Sequence, residues 1–276
     1  MSETARRSRL SSIGPGILLA ATTVGAGDLL TASLAGSEAG LAVLWAVPAG
    51  IILKWTLSEG IARWQMATGA TLLEGWISRL GGWIQWVFLV YLLLFTFVVG
   101  GALSSACGVA GTGFLQIGDP QTSKMIWGVA HSLLGLALVW WGSFRLFEIL
   151  MSGCVVLMFV SVVLTAALAE PDWGAVGTAI IHPKIQADSA YISMVIGLIG
   201  TTVAPWMQFY LQSSVIEKGL KLEDWKLTLA DVAVGCLLTV VVAFFIMVAC
   251  ASTLHAHGIE IEKASDAARA LAPLAG

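Results

Sequence analysis

Seven stretches of this chain stay apolar for about 20 residues, the length that an α-helix needs to cross the hydrocarbon core of a bilayer. They lie near residues 13–36, 41–62, 83–108, 125–143, 147–168, 191–215 and 231–254. Inside a membrane each backbone N–H and C=O must find its partner within protein, so segments of this length and character are helices. The expected fold class is therefore all-α and membrane-integral. Composition agrees, with 58% hydrophobic and 11% charged residues and a mean hydropathy of +0.88, against about 25% charge in soluble domains. The net charge of −3 and the lack of any basic cluster beyond Arg6, Arg7 and Arg9 exclude a nucleic-acid partner.

The connections hold the turn residues, as in Gly36-Ser37-Glu38, Thr68-Gly69 and Ile117-Gly118-Asp119-Pro120. Lys and Arg set the orientation. With the N-terminus in the cytoplasm, the inner segments carry Arg6, Arg7, Arg9, Arg63, Arg79, Arg145, Lys218, Lys221 and Lys226, and the outer ones Lys124, Lys184, Lys263 and Arg269. Seven spans then leave the C-terminus outside. The opening run resembles a signal peptide but is too long and contains Asp28, so it is read as a retained first span.

Two spans are interrupted by helix-breaking residues. The first break reads Ala21-Thr22-Thr23-Val24-Gly25-Ala26-Gly27-Asp28-Leu29 and the second Gly200-Thr201-Thr202-Val203-Ala204-Pro205-Trp206. Unwound backbone survives at membrane depth only where protein buries it or a hydrated cavity receives it. Breaks at matching places in two halves of a chain point to the substrate site of a secondary transporter. Asp28 is the only carboxylate of the first span, where an unpaired charge is costly. It can serve as a cation ligand, as a cap for the half-helix that follows, or as both. Pro205 cannot donate a backbone hydrogen bond, and Thr201 and Thr202 add hydroxyls beside freed carbonyls, an oxygen-rich set suited to hard cations.

Other polar residues carry plainer readings. Glu59 and Arg63 stand at i,i+4 spacing as a structural ion pair, with Lys54 snorkelling toward the inner surface. Gly101 and Ser105, and Ser104 and Gly108, are small residues four apart that allow close helix packing. Trp83, Trp86, Trp140, Trp141 and Trp173 fall near span ends as interfacial anchors. Cys107, Cys154, Cys236 and Cys250 lie in apolar segments at irregular spacings and form no zinc or redox motif. His131, His182, His255 and His257 make no metal constellation.

Motifs along most of the chain resemble the Nramp family (natural resistance-associated macrophage protein). They include Gly14-Pro15-Gly16, Gly27-x-Leu29-x-Thr31, Ala35-Gly36, Leu44-Trp45, Ala62-Arg63 with Thr68-Gly69, Arg145-x-x-Glu148, Ile199-Gly200 with Thr202-Val203, Ser213-Ser214 and Asp266-Ala267-Ala268. The resemblance implies a secondary transporter of divalent metal cations, with the cation as substrate between broken helices 1 and 6 and no cofactor. It implies the leucine-transporter-like inverted-repeat fold, truncated here to about seven of the family's eleven or so spans. The parts would be a cytoplasmic tail 1–12, a first repeat 13–168, an extracytoplasmic loop 169–190, the start of a second repeat 191–254, and an extracytoplasmic segment 255–276 leading to absent helices.

The metal site departs from the family pattern. Where the family has Asp-Pro-Gly-Asn, this chain has Gly25-Ala26-Gly27-Asp28, and where the family has Met-Pro-His it has Ala204-Pro205-Trp206. The family's carbonyl ligand maps onto Thr201. The ligand set expected is Asp28, Gly25, Thr201, Ala204 and Thr202. Loss of the thioether leaves oxygen donors alone, as in the Nramp-related branch that carries Mg²⁺, an ion that dehydrates reluctantly. The missing histidine, and the neutral residues at Gly101 to Ser105 in place of an acidic pair, argue against proton coupling. A small-organic-solute symporter of the same fold and a non-transporting truncated membrane component are the alternatives. An enzyme is not expected, since no nucleophile–base pair appears. The expected location is the cytoplasmic membrane of a bacterium, and the oligomeric state stays open.

Overall fold

The computed structural model describes residues 26–183, 185–204, 207–217 and 219–258. Among them the regular structure is helical: α1 (Ala26–Ala39), α2 (Ala46–Thr68), α3 (Leu72–Leu80), α4 (Trp83–Phe114), α5 (Pro120–Trp141), α6 (Phe144–Leu168), α7 (Trp173–Ile181), α8 (Ser189–Val203), α9 (Met207–Glu217) and α10 (Trp225–Thr253), with single 3₁₀ turns at Leu222–Asp224 and His255–His257. The chain divides into two compact units, one built from residues 1–69 and 150–276 and the other from 70–149.

Five helical stretches among the described residues are long and apolar enough to cross a membrane: Trp83–Phe114, Pro120–Trp141, Ile149–Leu168, Ser189–Ser213 and Leu222–His257. The chain is an integral membrane protein. The expected first span falls mostly outside the described residues, its remainder being α1. The second, expected at 41–62, begins later: 41–45 form turns and the helix runs 46–68. It is absent from the five because Lys54, Glu59 and Arg63 all sit within it. Two short helices fall where loops were expected. Thr71 and Glu74 form a reciprocal capping box at the start of α3, and Asp172 caps α7 through Gly174 and Ala175.

In the 70–149 unit, α4 and α5 form a tight hairpin. Ser104 and Ser132 share a 2.9 Å hydrogen bond, and Thr112 donates to Ser123 Oγ at 3.1 Å. Trp127 Nε1 donates to Leu115 O at 2.8 Å, closing the turn. A Cβ placed on Gly108 or Gly111 would collide with Lys124 O and the Trp127 ring respectively, while one on Gly101 meets nothing within 4 Å. The close packing expected from small residues is thus carried by Ser104, Gly108 and Gly111, and Gly101 takes no part. We expect Gly108→Leu to force the helices apart and cost about 3 kcal/mol. Gly101→Leu should be close to neutral in the same thermal-unfolding assay in detergent. Asp119 caps α5 through the Thr122 amide, and these hydrogen bonds hold its carboxyl below the usual range. The cap's contribution is therefore present above the unfolded carboxyl value and fades as pH falls through the lower folded value. Asp119→Asn should flatten this acid sensitivity in a series of melts at falling pH.

In the other unit, α1 packs closely on α10. A Cβ on Gly36 would lie 2.6 Å from Met247 O and 2.9 Å from Cys250 Cβ. His255 Nδ1 meets Ser37 O at 2.9 Å, beside Gly40, whose φ of +56° suits glycine. Trp45 Nε1 donates to Tyr191 OH at 2.9 Å, tying α8 to the turn before α2. Ala32, Ala35, Leu44, Val47, Leu198, Val242 and Met247 fill the core between these helices. All four cysteines are free thiols, Cys236 and Cys250 buried as expected for packing residues, but Cys154 exposed.

Candidate functional site

Helix directions follow from the paired contacts. Ser37 lies against His255 and Gly36 against Met247, so α1 runs parallel to α10. Lys54 meets Thr239 and Arg63 stacks on Trp225, so α2 runs antiparallel to α10. Tyr191 meets Trp45 and Thr202 meets Gly50, so α8 runs parallel to α2. It follows that α1 and α8 are antiparallel. They touch where Gly197 approaches Thr31, and stepping one turn along each brings Asp28 level with Gly200 and Thr201.

The second break is present in the described backbone. Helix α8 ends at Val203, and Ala204 takes a left-handed conformation with φ +44°, its N–H donating to Gly200 O and its own carbonyl accepting from Met207 N at the start of α9. Such a φ is strained for a residue with a Cβ. The carbonyl of Thr201 would ordinarily pair with the N–H of residue 205, which is a proline and has none. Pro205 therefore offers that carbonyl no backbone donor. Ala204 and Thr202 are fully buried and Thr201 is half-buried. Both Thr hydroxyls donate to Leu198 O, at 3.1 and 2.7 Å, which leaves their lone pairs as acceptors.

Asp28 is buried in the first turn of α1, a position where its charge also complements the helix dipole. Gly25, the remaining expected ligand, lies outside the described residues, as does the family-pattern position Trp206. Among the described residues no three His, Cys, Asp or Glu side chains converge as a metal-binding group. A cation here would rest on one carboxylate and neutral oxygens.

Lys54 corrects an expectation. It does not snorkel to a surface but is fully buried, donating from Nζ to Thr239 Oγ1 at 3.1 Å. The Glu59–Arg63 ion pair does form, and Arg63 also covers the face of Trp225, 4.9 Å from the ring centroid.

Sequence reasoning missed a buried polar seam between α2 and α9. Gln208 Nε2 donates to Ser58 Oγ at 3.0 Å and Gln65 Nε2 to Gln212 O at 3.1 Å. The Oε1 atoms of Gln65 and Gln208 are buried without a hydrogen-bond partner among the described residues. Their signal was present as polar residues at i,i+4 and i,i+7 inside apolar spans. Asp231 was taken as the edge of the last span, yet α10 starts at Trp225 and buries it.

A family profile described as "Natural resistance-associated macrophage protein-like" matches residues 16–276. The chain belongs to the Nramp family. Similar proteins include the divalent metal cation transporter MntH of Yersinia pestis (strain Pestoides F), 25% identical over 285 residues, which cover 98% of this chain and 66% of that protein. The MntH of Ralstonia nicotianae is 28% identical over 273 residues, covering 95% of this chain and 61% of its own. That of Chromohalobacter salexigens is 25% identical over 271 residues, covering 95% and 62%. The chain thus spans somewhat under two thirds of the length of these Nramp relatives.

Proposed function

We propose that this Nramp chain binds a divalent cation between the start of α1 and the α8–α9 break, as the substrate site of an alternating-access transporter. Asp28 supplies the anionic ligand, the carbonyls of Gly25, Thr201 and Ala204 supply neutral donors, and the Thr202 hydroxyl lines the site. The observation that carries this reading is the left-handed turn at Ala204, with the Thr201 carbonyl deprived of a donor by Pro205 and level with buried Asp28. The relatives named as divalent metal cation transporters support the substrate class. An all-oxygen site favours Mg²⁺ over the softer ions that a thioether would select.

In this reading α1 belongs to a first repeat spanning 13–168 and α8, α9 and α10 to the start of a second at 191–254. The N-terminus faces the cytoplasm of a bacterial cell. Single cysteines in a cysteine-free background should label from outside near Lys184 and from inside near Lys221, and the reverse pattern would overturn the orientation.

The test of the site is Ala204→Met. The new thioether should shift preference from Mg²⁺ toward Mn²⁺ by about tenfold, on the order of 1.4 kcal/mol. Calorimetry with both ions on both proteins measures it. Equal Mg²⁺ to Mn²⁺ ratios before and after the change would place the ion elsewhere.

A further inference from the structure

The α8–α9 break has a second charged neighbour. Gly50 of α2 lies against Thr202, just before the break, and Ser58 lies against Gln208, just after it. Lys54 stands midway between them on α2, so its backbone is level with the break itself. Its side chain is fully buried, and its ammonium donates to Thr239 Oγ1 at 3.1 Å. Thr239 in turn passes its own proton to Gly235 O at 3.0 Å, so its oxygen is committed as an acceptor toward Lys54. Asp28, also buried, borders the same break from α1, level with Gly200 and Thr201, so the two charged residues flank it. An ammonium buried beside a neutral hydroxyl alone is poorly compensated, and an anion nearby is what makes its burial tolerable.

We propose that Lys54 is a tethered cation of this site: it neutralises Asp28 while the site is empty, and an incoming divalent cation must displace its influence. The proposal rests on the reading of Asp28 as a cation ligand. An empty site holding one fixed positive and one negative charge is neutral, whereas a lone Asp28 would attract any cation within reach. The lysine therefore raises the threshold for binding, favouring divalent ions over monovalent ones, because only the stronger charge repays the loss of the internal pair. Thr239 is a positioning residue that fixes the ammonium on the α10 side.

The test uses the whole chain in detergent. Lys54→Met keeps length and apolar volume and should raise apparent Mg²⁺ affinity at least tenfold by calorimetry, with Na⁺ becoming an effective competitor. Lys54→Arg keeps the charge and should stay near the original affinity, which a purely structural role would not distinguish. A second readout needs no cation. In a thermal-unfolding cycle without divalent ions, Asp28→Asn should destabilise the original protein but have little effect in the Lys54→Met background. Absence of Mg²⁺ binding in every variant together with a non-additive cycle would retire the cation-site reading and keep the neutralising pair. An additive cycle, or an Mg²⁺ affinity unmoved by Lys54→Met, overturns the proposal.

Discussion

Replacing Asp28 by Ala should lower divalent-cation affinity at least a hundredfold, about 3 kcal/mol, with a lowered thermal midpoint but the helices still folded. Asp28 is the one carboxylate in the first turn of α1, and the oxygens that accompany it on α8 are neutral. Neutral carbonyls can orient a hard cation, but without an anion they do not repay its dehydration. Asp28→Asn should fall between the two, since an amide retains one oxygen donor and loses the charge. Calorimetric titration with Mg²⁺ on the three proteins, each checked for its thermal midpoint, gives the comparison. Unchanged binding by Asp28→Ala would retire the site.

A large structural effect is also expected at Gly36. A side chain there would press on Met247 O at 2.6 Å and Cys250 Cβ at 2.9 Å. The first of these is backbone and cannot move aside within a helix. Gly36→Leu should therefore separate α1 from α10 and cost about 3 kcal/mol or more, enough to leave little monodisperse protein on size-exclusion chromatography. Gly60→Leu, which has nothing within 4 Å, is the control and should behave as the original chain does.

The helices were legible because hydrocarbon imposes one strong rule, that long apolar segments satisfy their own backbone. Residues 83–108 and 147–168 were placed closely on this ground. The second break was legible too, since Pro205 removes a donor whatever surrounds it. What the sequence could not show is the environment of a polar residue inside an apolar helix. Lys54 has a long flexible stem that can reach a surface or lie buried, and only the packing of α2 against α10 decides between these outcomes. The same limit hid the Ser58, Gln65, Gln208 and Gln212 seam, because its members come from helices some 150 residues apart. Asp231 was misjudged through a boundary error of about two turns at the start of α10, where the polar residues of 225–231 masked the helix.

From Trp206 at the histidine position of the family pattern, and Gly101 to Ser105 in place of an acidic pair, we propose that transport is not tightly coupled to protons. Cation movement would then follow the cation gradient and the membrane potential, each charge being worth about 2.3 kcal/mol per 100 mV. The decisive experiment reconstitutes the chain into liposomes that hold a divalent-sensitive dye and a pH-sensitive dye, and imposes an inward Mg²⁺ gradient. Mg²⁺ entry that is quickened by an inside-negative potential, abolished by Asp28→Ala and unaccompanied by acidification is the predicted result. Vesicles with the original chain that admit no more Mg²⁺ than those with Asp28→Ala would contradict it.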